Sequence, residues 1–196
     1  MFEERLVEFS RERLGGRPLP DDLRTMLVAE WQGRAEFRDL LGITFLEAGK
    51  PHPFLDAGHR GADADPETRA IDAALAEMSG HLGIVAQSDK GWIGYWLHPD
   101  EPADRPPPLI QLDTEGSYWS MVGSTLAEAC AADRARYHDE PDERVAFTLI
   151  ADRLAELGLP LGTRDYDALR DPEYAVNPEK LTDELIEAEC RRRGLA

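Results

Sequence analysis

Three sets of side chains carry types that could do chemistry. In the stretch GHRGADAD, His59, Asp63 and Asp65 offer one nitrogen and two carboxylates within seven positions, the ligand types of a metal-assisted hydrolase. Their spacing matches no established metal site, and Asp65 stands directly before Pro66, where a carboxylate caps a helix. The competing reading therefore gives Asp65 to a helix start and leaves His59 and Asp63 in water. A second set, Asp100, Glu101, Asp104, Asp113 and Glu115, is acidic. Carboxylates tuned for acid/base work need an apolar surrounding or a partner that separates their pKa values, whereas these fall in turn-forming stretches, where they present negative charge. The third set is aromatic: Trp92 and Trp96 in GWIGYWL, and Trp119 in SYWSMV.

Side chains alternate along a strand, so Trp92, Gly94 and Trp96 share one face and Ile93, Tyr95 and Leu97 the other. A strand apolar on both faces is usually covered twice, which favours a wall of the core. The opposing possibility is an aromatic platform, with Gly94 as a notch between two tryptophans. His52 and His98 adjoin prolines and read as rigid loop positions, and His81 and His138 carry no further signal. Cys130 and Cys190 fall in helical stretches without a metal spacing and read as buried reduced thiols, which fits a cytoplasmic setting. The chain contains no P-loop, no G-x-G-x-x-G between strand and helix, no G-x-S-x-G and no H-E-x-x-H. No catalytic residue, metal or cofactor is expected.

The positioning elements are legible from periodicity and punctuation. Helices are predicted over 2–14, from Pro20 to Trp31, from Pro66 with Ala70, Ile71, Ala74, Leu75 and Met78 inward, over 124–137 with Ser124 as cap, over 144–157, and over 178–193. On the helix over 144–157, Ala146, Leu149, Ile150, Leu154 and Leu157 form the apolar face. Residues 37–46 are ambiguous between helix and strand, with LGITFL as a candidate short buried strand, and residues 48–67 form a long loop rich in turn formers. Four strands follow one another in HLGIVAQ, WIGYWL, LIQLD and SYWSMV, the first pair joined by Ser88-Asp89-Lys90-Gly91. The fold class is therefore α+β: a central antiparallel sheet of about four to six strands bracketed by helices. The expected organisation is a domain over 1–140 and a C-terminal helical extension over 141–196 packed on it.

Charge narrows the function. With 39 acidic and 22 basic residues the 196-residue chain carries a formal net charge of -17, which repels phosphates and attracts basic proteins. A nucleic-acid or membrane partner is not expected. No apolar run approaches the ~20 residues of a membrane-spanning helix.

The order of short motifs adds a resemblance. Leu19-Pro20-Asp21-Asp22-Leu23 leading to Trp31-Gln32-Gly33, then GIVAQSDKGWIGYW, then LIQLDTEGSYW and a capped helix, resembles the SUKH superfamily of cell-wall-assembly-regulator-like proteins over about Phe9 to Tyr137. The resemblance implies an α+β fold. It also implies a binding role, since many bacterial relatives are immunity proteins that block polymorphic toxins, often nucleases, and fungal relatives are regulatory interaction proteins. The family has no shared catalytic set. The chain departs from its pattern in the long loop before Pro66 and in the helices after Pro141. The expected function is thus a non-enzymatic module that binds a basic toxin domain, with Trp92, Trp96, Asp100, Glu101, Asp104, Asp113, Glu115 and Trp119 as partner-binding residues. The alternatives are a regulatory or scaffold protein without a toxin, and a metal-dependent hydrolase built on His59, Asp63 and Asp65.

Overall fold

A computed structural model of the chain describes residues 2–49, 65–113, 117–137 and 142–195. Helix α1 (Phe2–Arg13) buries Leu6 and Phe9, and ends where Gly15 and Gly16 take positive φ and Gly16 N–H returns to the Ser10 carbonyl at 3.0 Å. Only glycine turns into that left-handed exit without strain. Helix α2 (Asp21–Trp31) places Pro20 in the cap position rather than inside the first turn, and buries Leu23, Met26 and Leu27. Helix α3 (Phe37–Leu41) and the two-residue strand β1 (Thr44–Phe45) resolve the ambiguous segment into both forms, with Gly42 at φ 71° between them.

Helix α4 (Pro66–Ser79) starts as expected: Asp65 accepts from the backbone N–H groups of Glu67 and Thr68, both at 3.0 Å, and Pro66 opens the first turn. The meander follows as β2 (Leu82–Ser88), β3 (Gly91–Trp96), β4 (Leu109–Leu112) and β5 (Tyr118–Ser120). With β1 on the far edge, these form one antiparallel five-stranded sheet in sequence order. The β2–β3 register slips between Ile84 and Ala86, and the Val85 carbonyl accepts from Leu46 N–H at 3.0 Å. This bulge turns Val85 and Ala86 into the same core, a local reversal that alternation alone does not forecast.

Helix α5 (Leu126–Arg136) is capped by Thr125, one residue later than expected, because Thr125 Oγ1 accepts from Glu128 N–H at 3.2 Å. Glu128 in turn accepts from the backbone N–H and hydroxyl of Ser124, the residue before the cap, at 2.7 and 2.9 Å. Helix α6 (Glu143–Glu156) buries Ala146, Phe147, Ile150, Ala151 and Leu154, while Leu149 faces solvent; the apolar stripe is rotated from the expected one toward Phe147. Helix α7 (Pro178–Arg192) follows a single 3-10 turn at Tyr166–Ala168.

The sheet is covered on both sides. One core lies between its first face (Val85, Ala86, Ile93, Tyr95, Leu109) and α1, α2, α3, α5 and α6. A smaller core gathers Ile84, Trp96, Ile110 and Leu112 on the opposite face with Met78 of α4, and α7 closes it with Leu181 and Leu185. Among the described residues no helix is long and apolar enough to cross a membrane.

Candidate protein-binding face

The acidic and aromatic residues singled out in the sequence separate into two groups, one consumed by the fold and one displayed. Trp96 belongs to the first. It is 0% exposed, its indole N–H donates to the Val176 carbonyl at 2.9 Å, and its ring lies among His81 and His98. A partner reaches it only if α7 and the segment before it leave the sheet. Trp92 is half-buried against the same core, so the strand is a core wall and not an aromatic platform. The notch expected at Gly94 is filled by the neighbouring strand: a Cβ there would stand 2.6 Å from the Gly83 carbonyl oxygen and 2.8 Å from the Ile84 Cα. Glycine at 94 serves close strand approach rather than access.

Glu101 is likewise internal. Its side chain is 5% exposed; one carboxylate oxygen accepts from the N–H groups of Ala175 and Val176 at 2.9 and 3.1 Å, and the other from Arg105 at 3.4 Å. Arg105 donates onward to the Glu173 carbonyl at 3.0 Å. The linker expected to present charge to a partner therefore binds the chain's own C-terminal segment, while Asp100 and Asp104 beside it remain exposed.

The displayed group lies at the other end of the sheet. Asp113, after β4, accepts from Ser117 N–H at 2.9 Å and from the Trp119 indole N–H at 3.2 Å. The bond orients Trp119 on the edge strand, where it is 59% exposed. Across a groove of about 370 Å³ stands Tyr137, at the end of α5 and 61% exposed. Lys90, from the β2–β3 turn, sits between: its ammonium is 2.7 Å from Asp133 and 3.3 Å from the centre of the Tyr137 ring. Ion pair and cation–π contact together hold the tyrosine in place. Chemically this arrangement suits contact: two aromatic side chains open to solvent, with Asp113 and Asp133 held by Trp119 and Lys90, and Arg136 as a second cation in the lining.

Lys90, Asp133 and Tyr137 escaped sequence reasoning because their partnership spans 43 positions and appears only when α5 is laid beside the turn. Glu115, His59, Asp63, His52 and His138 lie outside the described residues. Asp65 does, as shown, the work of a helix cap. Burial, helped by neighbouring His98, lowers the pKa of His81, and burial pushes the Cys130 thiol far up.

With the geometry in hand, comparison with known proteins returns no match: no family model, no curated protein and no solved structure.

Proposed function

We propose that the chain is a non-enzymatic protein-binding module whose partner is a basic protein, in the specific form suggested by the SUKH-like motif order: an immunity protein that occludes a basic, nuclease-type toxin domain in the cytoplasm. The observation that carries this reading is the pair Trp119 and Tyr137, two large aromatic side chains displayed on opposite sides of one groove in a chain of net charge -17. Tryptophan and tyrosine are the side chains most enriched where binding energy concentrates, and a complementary field accelerates encounter. The scaffold alternative, docking through the C-terminal helix, has less support, because Leu181 and Leu185 of α7 are spent on the second core.

The test is co-expression with the products of the genes that flank this one, screened for a basic toxin domain. Wild-type chain rescues growth and co-purifies with the toxin, whereas Trp119→Ala combined with Tyr137→Ala loses both while keeping the wild-type thermal midpoint. Rescue undiminished by the double substitution removes this face from the proposal; absence of rescue and of a complex with the wild-type chain removes the immunity role.

A further inference from the structure

The sheet ends at β5, and the register of its pairing fixes which way the backbone groups of that strand point. Asp113 N–H donates to the Ser117 carbonyl at 3.1 Å and Met121 N–H to the Leu109 carbonyl at 3.2 Å, with Gln111 opposite Trp119 between them. Bonded and non-bonded pairs alternate along an antiparallel ladder, so residues 117, 119 and 121 face β4, and Tyr118 and Ser120 turn their N–H and carbonyl groups outward. Among the described residues no group pairs with that outward backbone.

Open edges are ordinarily blunted by a lysine, a proline or a bulge. The stretch SYWSM carries none of these, and its register with β4 is unbroken. Trp119, Ser120 and Met121 also line the groove across which Tyr137 stands. A strand laid along β5 at the ordinary spacing of about 4.8 Å therefore sets a side chain beside the exposed Trp119 indole. Indole is the strongest aromatic acceptor of a cation, and the chain uses such contacts itself: Arg5 lies 4.0 Å from the Trp31 ring centre and Lys90 3.3 Å from that of Tyr137. The Asp113 carboxylate on the indole N–H adds negative charge next to that ring. The two cations of the groove belong to its α5 wall, Lys90 through its pair with Asp133 and Arg136 as the last residue of the helix. A second copy of the chain would bring its own net charge of -17 to the same edge, so like-charge repulsion disfavours self-pairing and favours a cationic partner.

We infer that β5 is a docking strand: an extended segment of a basic partner protein, with lysine or arginine on its groove side, joins the sheet as a sixth strand through the outward N–H and carbonyl groups of Tyr118 and Ser120. The inference rests on the protein-binding reading of this face and specifies its mode, main-chain pairing with a cation laid on Trp119.

The experiment titrates the ¹⁵N-labelled chain with the synthetic peptide TKVKVKVKT, whose lysines share one strand face. Its controls are TKPKPKPKT, equal in charge but unable to pair as a strand, and TEVEVEVET, which pairs but carries the opposite charge. The first peptide is expected to give saturable shifts centred on residues 118–120 and to slow hydrogen exchange of the Tyr118 and Ser120 amides, and both controls to bind at least about tenfold more weakly. Ser120→Pro deletes an outward N–H without touching the ladder to β4, and should weaken the first peptide about tenfold. Should Ser120→Pro unfold the chain, the exchange of the Tyr118 and Ser120 amides in the wild type decides instead. Absence of saturable shifts, equal affinity for the proline peptide, undiminished binding in folded Ser120→Pro, or unslowed amides at 118 and 120 overturns strand docking. The protein-binding reading fails separately: growth rescue lost in Trp119→Ala with Tyr137→Ala but kept in folded Ser120→Pro retains the face and overturns the docking strand, whereas peptide pairing at β5 without any rescue by the wild-type chain supports the docking strand and removes the immunity role.

Discussion

The indole N–H of Trp96 and the carbonyl of Val176 meet at 2.9 Å across 80 positions of sequence, joining the middle of the sheet to the strand-like approach of the last helix. Around this contact stand Glu101 on the amides of Ala175 and Val176, Arg105 on the Glu173 carbonyl, and Tyr174, whose hydroxyl donates to the Leu109 carbonyl at 3.3 Å. The C-terminal extension is therefore integral to the second core, and the hydrogen bonds of four side chains, Trp96, Glu101, Arg105 and Tyr174, determine where it docks.

Trp96→Phe retains an aromatic ring but removes the donor, so the Val176 carbonyl loses its indole partner and a small void opens. The expected cost is about 2–4 kcal/mol, combining an unpaired acceptor with lost packing. Urea unfolding measures the total. Hydrogen exchange should accelerate first over 176–192, and an equal acceleration throughout the chain would show that the contact does not govern this segment.

Glu101 and Asp104 are three positions apart and look alike in sequence, yet neutralisation should destabilise the chain at the first and leave it nearly unchanged at the second. Glu101→Gln replaces a charge-assisted acceptor of two amides and is expected to cost about 1.5–3 kcal/mol. Asp104→Asn alters an exposed side chain and should stay within about 0.5 kcal/mol of wild type. Chemical denaturation of the two variants side by side checks both values.

What distinguishes such pairs is distance along the chain. Helix starts at Asp65 and Asn177, the Ser88–Gly91 turn and the four meander strands were legible because their causes lie within a few residues: a capping oxygen, a glycine, alternation. The roles of Trp96 and Trp119 were not. Both are tryptophans on short strands of one sheet, and only the arrival of Val176 and α7 makes the first internal, while β5 at the sheet edge leaves the second displayed. The same holds for Leu149, exposed on a helix whose burial is set by how α5 lies against it, and for Lys90, whose partners come from the far end of α5.

The two cysteines should differ in reactivity for the same reason. Cys130 is buried in α5 with its pKa raised by desolvation and by the negative charges of Asp133 and Asp22, whereas Cys190 near the end of α7 is partly exposed. The thiolate is the reactive form. A disulfide-exchange reagent at pH 8 should therefore titrate Cys190 alone in the native chain and both thiols in denaturant. Cys190→Ser should abolish the native signal; a native signal surviving in that variant would place Cys130 at the surface.

His81 ties the second core to pH. Its ring centre lies 4.7 Å from that of His98 and 5.8 Å from that of Trp96, and burial, followed by the charge of His98, lowers its pKa from the ordinary 6.5. A histidine with a depressed folded-state pKa binds fewer protons folded than unfolded in the window just below 6.5. Stability then rises with pH across that window, being fully present above the unfolded pKa and lost as pH falls toward the folded one. The thermal midpoint is expected to drop between pH 7 and pH 5 by more in the wild type than in His81→Gln, which has no proton to take up. Both chains share the carboxylate contributions that appear at lower pH, so the difference between their curves isolates this residue. Parallel curves for the two chains would show that His81 takes up its proton equally in the folded and unfolded states.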